Sequence, residues 1–285
     1  MSILSVIISI VATSIQGVFK KQLNVKCENC EFSVSVLTTA FAFVFFLLFA
    51  RNLAVPAALL IYCIAFAVCY ACASVTYVLA LSCGSLALTQ MILSYSCVIP
   101  LAYSLLSGET LGLFQVMGVA FLLASLVVTY YQRRQPGKKQ TVSAKWIIYL
   151  VLMSVTNGFC GVIMRMQQLR FAGAYDSPFM VYALFLAMLI LVAAAVLREK
   201  NRIWVAFRHG AVLAAACGVS NGLANYFGLI CLALIPNAVY YPIKSAGELV
   251  LTSLMSIFLF KERLRKMQYI GLGLGILALI FINIS

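Results

Sequence analysis

Residues 109–118 read ETLGLFQVMG, and 153 positions later residues 262–271 read ERLRKMQYIG, so the pattern E-x-L-x3-Q-x2-G stands twice in one chain. At the same offset Leu79-Ala80-Leu81 is matched by Leu232-Ala233-Leu234. Two matches at one offset, at the same point of each half, mark a duplication. Working outward from them, the chain falls into ten apolar runs near 2–22, 32–50, 55–81, 85–106, 111–131, 145–168, 178–197, 210–235, 237–260 and 267–284. Each is near the length a spanning helix needs. The run 178–197, PFMVYALFLAMLILVAAAVL, holds no charged residue. Five runs per copy is an odd number, which forces the copies to cross the membrane in opposite senses. The expected fold is all-α integral membrane, with ten transmembrane helices in two inverted five-helix repeats. Residues 1–131 form the first repeat, 132–144 a basic linker and 145–285 the second.

Composition supports this reading. Of 285 residues 64% are hydrophobic and 9% charged, and the mean hydropathy is +1.07. A water-soluble domain carries roughly 25% charged residues. In lipid the backbone must pair internally, which leaves helices or a closed barrel. Runs of about twenty apolar residues, not alternating ten-residue segments, select helices. The net charge of +13 would point to nucleic acid in a soluble protein. Here the positive residues cluster between apolar runs, as cytoplasmic loops do, so no nucleic acid partner is expected. Seven of the ten cysteines (Cys63, Cys69, Cys72, Cys97, Cys160, Cys217, Cys231) fall inside apolar runs, where Cys acts as a small hydrophobe. Cys83 lies near a helix end, and Cys27-Glu28-Asn29-Cys30 is a lone CxxC without the further ligands of a structural zinc site. No metal or cofactor is expected. The first run is long enough to span a bilayer and is not read as a cleavable signal.

Loop charge sets the expected orientation. Lys26, Arg133, Arg134, Lys138, Lys139, Lys145, Arg198, Lys200, Arg202, Arg208, Lys261, Arg263, Arg265 and Lys266 fall on one side, against Arg51 and Arg170 on the other. Positive loops stay in the cytoplasm, so both termini are expected outside it. Lys20 and Lys21, at the border of span 1, are read as interfacial anchors. Glu109 and Glu262 are placed to favour the N-terminus of the helix that follows each.

An ionisable side chain at a helix centre costs about 2.5–3.5 kcal/mol by insertion scales, so it needs a reason. Glu248 is the one acidic residue deep within any span, and Lys244 precedes it by one turn. From Asn237 at 1.5 Å per residue, Lys244 lies roughly 10 Å deep and Glu248 roughly 16 Å, near the midplane. Three readings compete: a self-neutralising structural pair, a grip on the two ends of a zwitterion, or a proton-carrying Glu248 beside an anion-binding Lys244. Burial and a neighbouring ammonium act on that carboxylate in opposite senses, which leaves the three open. Tyr241, Lys244, Glu248, Thr252 and Ser256 share one face of span 9, and Pro242 is expected to kink it. Span 1 carries a stripe of Ser5, Ser9, Thr13, Gln16 and Lys20. The amides Gln16, Gln90, Asn157, Asn221 and Asn225 need several partners each and are candidates to face a cavity. Arg165, near the end of span 6, either joins them or snorkels to the interface. Gly271 and Gly275 give span 10 a GxxxG spacing, for packing within the chain or for a homodimer through spans 5 and 10.

The acidic-x-Leu turn joining the fourth and fifth spans of each half, and the stretch from Val239-Tyr240-Tyr241-Pro242 through Leu249-Val250-Leu251-Thr252 to Phe260-Lys261-Glu262-Arg263-Leu264, resemble the ten-helix branch of the drug/metabolite transporter superfamily. The resemblance covers nearly the whole chain and is specific for the fold rather than the substrate. It implies a central cavity within spans 1–4 and 6–9, with spans 5 and 10 peripheral. Members move amino acids, sugars, nucleotide sugars, amines and drugs. The resulting expectation is a plasma-membrane secondary transporter of a small polar or zwitterionic, amino-acid-like metabolite, with the lipid bilayer as its surroundings and proton coupling as an option. The same fold would serve a flippase for a lipid-linked headgroup. An intramembrane enzyme is disfavoured, since His209 is the one histidine and neither HExxH nor GxSxG occurs. No catalytic residue is assigned. Nor is there a G-x4-GK[ST] loop for ATP.

Overall fold

The computed structural model describes residues 2–50, 52–84, 86–108, 112–131, 144–200, 202–261 and 266–283, and every regular element among them is helical. In chain order these are α1 (Ser2–Lys26), α2 (Glu31–Phe49), α3 (Ala57–Cys83), α4 (Leu86–Leu93), a 3₁₀ turn (Ser94–Cys97), α5 (Val98–Leu106), α6 (Leu113–Tyr131), α7 (Ala144–Phe171), α8 (Asp176–Glu199), α9 (Arg202–Leu234), α10 (Asn237–Phe260) and α11 (Lys266–Asn283). Seven of them, α1, α2, α3, α7, α8, α9 and α10, are long and apolar enough to cross a membrane. The duplicated turns at 109–111 and 262–265 and most of the linker at 132–144 lie outside the described residues.

Helices outlast their apolar runs where polar ends are anchored. α1 continues to Lys26 and α9 begins at Arg202, eight residues before the run that announced it. The extra turns of α9 hold Arg202, Arg208 and His209, which lower its hydropathy without opposing helix formation. Span 4 differs more, being split into α4 and α5 by the 3₁₀ turn. Pro100 has no N–H, and its ring crowds the carbonyl of Ser96 four residues back. Backbone groups loosened inside a bilayer need new partners. The Ser154 hydroxyl donates to the Ile92 carbonyl at 3.1 Å, and Asn157 Nδ2 to Ser96 Oγ at 2.9 Å. Gly158 permits this approach of α7, since a Cβ there would stand 2.8 Å from the Ser96 carbonyl oxygen. By contrast α10 runs through Pro242 as one continuous helix. Pro242 lies in its second turn and removes only the bond to the Ala238 carbonyl.

The principal packing pairs are α1 with α9, α6 with α11, α7 with α3, α2 with α9, α2 with α8, and α3 with α8. Each face of contact is apolar with small residues let in. The Ser125 hydroxyl donates to the Gly271 carbonyl at 2.6 Å, so the small-residue face of α11 is used within the chain. Outward faces carry large apolar side chains such as Leu48 (79% exposed), Leu197 (83%) and Val212 (83%). So much exposed apolar surface requires lipid as its solvent.

Contacts fix which loops share an end of the bundle. At one end Lys21 Nζ donates to the carbonyls of Leu81 (2.9 Å) and Gly84 (2.8 Å), satisfying the last turn of α3. Trp146 Nε1 donates to Ala80 O at 3.0 Å, and Arg202 Nη1 to Asn29 O at 3.2 Å. Glu199 accepts the amides of Phe32 (2.7 Å) and Ser33 (2.9 Å), which caps α2. Phe260, the last residue of α10, packs in the same cluster as Leu86, the first of α4, so those two rods are antiparallel. At the other end the Tyr182 hydroxyl donates to Leu53 O at 3.0 Å, and Gln168 Nε2 to Asp176 Oδ2 at 2.7 Å.

Candidate functional site

A cavity of about 150 Å³ opens at the centre of the bundle. Its wall is drawn from α1, α3, α4, α7, α9 and α10. No lining residue comes from α2 or α8, although the family resemblance implied spans 2 and 7 around the cavity. Those two helices are apolar and Phe-bearing, and they pack on each other, on α3 and on α9 instead. Among the described residues, none of α6 or α11 lines the wall.

Of the nine residues read from the sequence as site candidates, seven line the cavity: Gln16, Gln90, Asn157, Asn221, Asn225, Tyr241 and Lys244. Helical spacing explains the grouping, because Asn221 and Asn225 are one turn apart on α9 and Tyr241 and Lys244 are three residues apart on α10. Asn225 Nδ2 donates to Asn221 Oδ1 at 2.5 Å, and Asn221 Nδ2 donates to the Tyr70 hydroxyl. The Tyr241 hydroxyl donates to the Gly161 carbonyl at 3.0 Å, pinning α10 to α7. Asn157 reaches into the wall from α7 through Ser96, at the break between α4 and α5.

Glu248 and Arg165 are not among the lining residues. Glu248 stands behind Lys244, its Oε1 3.7 Å from Lys244 Nζ, with side-chain exposures of 10% and 24% respectively. That Oε1 is buried without a hydrogen bond. Thr13 of α1 lies against the same carboxylate. The pair is therefore real and partly self-neutralising, with its cationic member on the cavity side. Lys244 also lies 5.9 Å from the Tyr240 ring centroid. Arg165 is half-buried and reaches the last turn of α9, where its Nη1 donates to the Leu232 carbonyl at 2.7 Å.

Several lining residues escaped the sequence reading. Tyr70, Tyr77 and Tyr240 join Tyr241 at the wall. The most consequential is Lys20, expected at the interface but 4% exposed inside the bundle and part of the lining. The physical reason is the length of α1: with the helix ending at Lys26, Lys20 sits six residues inside it. Lys21, on another face, is the anchor.

Residues 144–284 match the EamA-like transporter family. No curated protein matches the chain. A solved structure, described only as the crystal structure of a protein, covers 100% of this chain and 98% of its own with a TM-score of 0.73. Its sequence identity is 15%, so the likeness shows the fold alone.

Proposed function

This chain belongs to the EamA-like transporter family, part of the drug/metabolite transporter superfamily, and from that premise we propose that it is a secondary transporter of a small polar or zwitterionic, amino-acid-like metabolite. Transport runs across the plasma membrane by alternating access around the central cavity, with Glu248 as the proton-carrying group. The observation that carries this reading is the cavity itself. Five amides and four tyrosines line a space of about 150 Å³, with a lysine-carboxylate pair at its edge. A few converging polar groups in an otherwise apolar bundle are what a small polar ligand requires. Sites of this kind lie near the midplane of inverted-repeat transporters.

The packing supports an inverted repeat. Adding five to each span number turns the α1–α9 contact into the α7–α3 contact, and it maps α2–α8 and α6–α11 onto themselves. The cavity wall obeys the same rule, since spans 1, 3 and 4 become 6, 8 and 9. The antiparallel course of α4 and α10 fits a twofold axis in the membrane plane.

The test is reconstitution. Purified protein in proteoliposomes should accumulate radiolabelled alanine or a close analogue in counterflow, and an imposed pH gradient should drive net uptake. A screen of small amino acids that gives no counterflow above empty liposomes would sink the substrate class. Uptake indifferent to the pH gradient would remove the proton.

A further inference from the structure

Lys20 is a buried lysine, 4% exposed. Its Nζ donates to Ser74 Oγ at 3.2 Å and stands 5.0 Å from the Tyr77 ring centroid. Among the described residues no carboxylate pairs with it, Glu248 behind the wall being held by Lys244. Burying an unpaired ammonium is unfavourable unless something compensates it. A second orphan stands on the same wall. Gln90, 2% exposed, receives the Tyr77 hydroxyl on Oε1 at 3.4 Å, while its Nε2 is buried with no acceptor. Lys20, Ser74, Tyr77 and Gln90 all line the cavity. The cluster therefore offers spare N–H groups from an ammonium and an amide, with no acceptor set against them.

We propose that Lys20, Gln90 and Ser74 form a carboxylate-binding subsite at the end of the cavity away from Lys244. Lys20 lies roughly 9 Å from the basic end of α1, whereas Lys244 lies roughly 10 Å from the opposite end of the bundle, at 1.5 Å per residue. The two lysines thus face different parts of one ligand. Charge balance favours a monoanionic group. While Glu248 is ionised it offsets Lys244, which leaves Lys20 as the one cation of the wall to be matched, enough for one carboxylate and too little for a phosphate dianion. The body of the ligand has its own track. Tyr77, Tyr70 and Phe66 follow at helical spacing along α3 and line the cavity away from Lys20. A cavity of about 150 Å³ is large enough for a six-membered ring by comparison with cavities that admit benzene. The substrate class is thus a compact organic acid or amino acid that enters with its carboxylate at Lys20.

The inference rests on the transport reading in taking this cavity as the substrate's, but its test reads binding alone. The probe is radiolabelled benzoate on the full-length purified protein, with benzamide as the neutral isostere. Saturable benzoate binding is expected, with benzamide much weaker. Lys20→Met should weaken benzoate about tenfold to hundredfold, the range of a charge-assisted hydrogen bond. Lys20→Arg should retain most of the affinity, and Gln90→Leu should lose less than Lys20→Met. No saturable benzoate binding, equal affinity for benzamide, or unchanged affinity in Lys20→Met overturns the subsite. The wild-type comparison decides the matter even where a variant does not fold. Benzoate binding that survives while proteoliposomes move no amino acid would count against the transport reading and leave the subsite standing.

Discussion

Lys244 and Glu248 are held 3.7 Å apart, and only the lysine reaches the cavity wall. The geometry yields a double-mutant test. Removing either charge leaves the other buried, at a cost of about 3–5 kcal/mol where burial is complete and less here because Lys244 keeps 24% side-chain exposure. Glu248→Gln and Lys244→Met should each lower the Tm, and the double variant should recover most of it. Uptake is expected to stay absent in the folded double variant, since the cavity has lost Lys244 and the proton carrier together, although Lys20 remains in its wall. Wild-type uptake in that variant would reduce the pair to a structural strut. Side chains of this kind were legible in the sequence because charge at the middle of an apolar run is costly whatever the fold. Lys20 was not, because near the border of a run a lysine normally serves as an anchor. Only the extension of α1 to Lys26, invisible to hydropathy, moves it inside.

At the scale of helices, the site depends on how closely α7 approaches α10. A Cβ on Gly161 would stand 2.8 Å from the Tyr241 hydroxyl oxygen, and that hydroxyl is fixed by its bond to the Gly161 carbonyl. Gly161→Ala should therefore destabilise by about 1–3 kcal/mol, as overpacking does. It should also reduce uptake, because Tyr241 lines the cavity. Gly273→Ala on α11 is the control: nothing lies within 4 Å of the added carbon, and alanine favours the helix by about 1 kcal/mol. Thermal melts of both in detergent check the contrast, and equal melting of the two would show that the α7–α10 contact is loose. The elements themselves were mostly readable, since ten apolar runs became helical rods at nearly the expected positions. The split of span 4 was not. Hydropathy records composition, whereas the break at Ser94–Cys97 depends on Pro100 and on hydroxyl and amide partners supplied by α7.

For the whole molecule, the distribution of basic side chains sets which end faces the cytoplasm. Contacts gather Lys21, Lys145, Arg198, Lys200 and Arg202 near one end, while Arg170 lies at the other beside Tyr62. The basic linker 132–144 begins and ends on helices whose adjoining ends lead to the first of these. Membrane insertion retains lysine- and arginine-rich loops in the cytoplasm, so that end should be internal and both termini external. Cys83, an exposed thiol at the end of α3 beside Lys21's carbonyl partners, provides a native reporter of sidedness. Cys27 and Cys30 lie at the same end but are buried, and burial pushes both thiols up from their ordinary value. A raised thiol holds less thiolate at neutral pH, so both should label slowly there and faster as the pH climbs. A membrane-impermeant maleimide applied to intact cells should therefore miss Cys83, and should label it in inside-out vesicles, with Cys83→Ser removing the signal. A reporter fused after residue 285 should be active only in its extracytoplasmic form. Labelling of Cys83 from outside, with a cytoplasmic C-terminal reporter, would invert the molecule. The carboxylate subsite would then face the external end of the cavity, and the lysine-carboxylate pair the internal one.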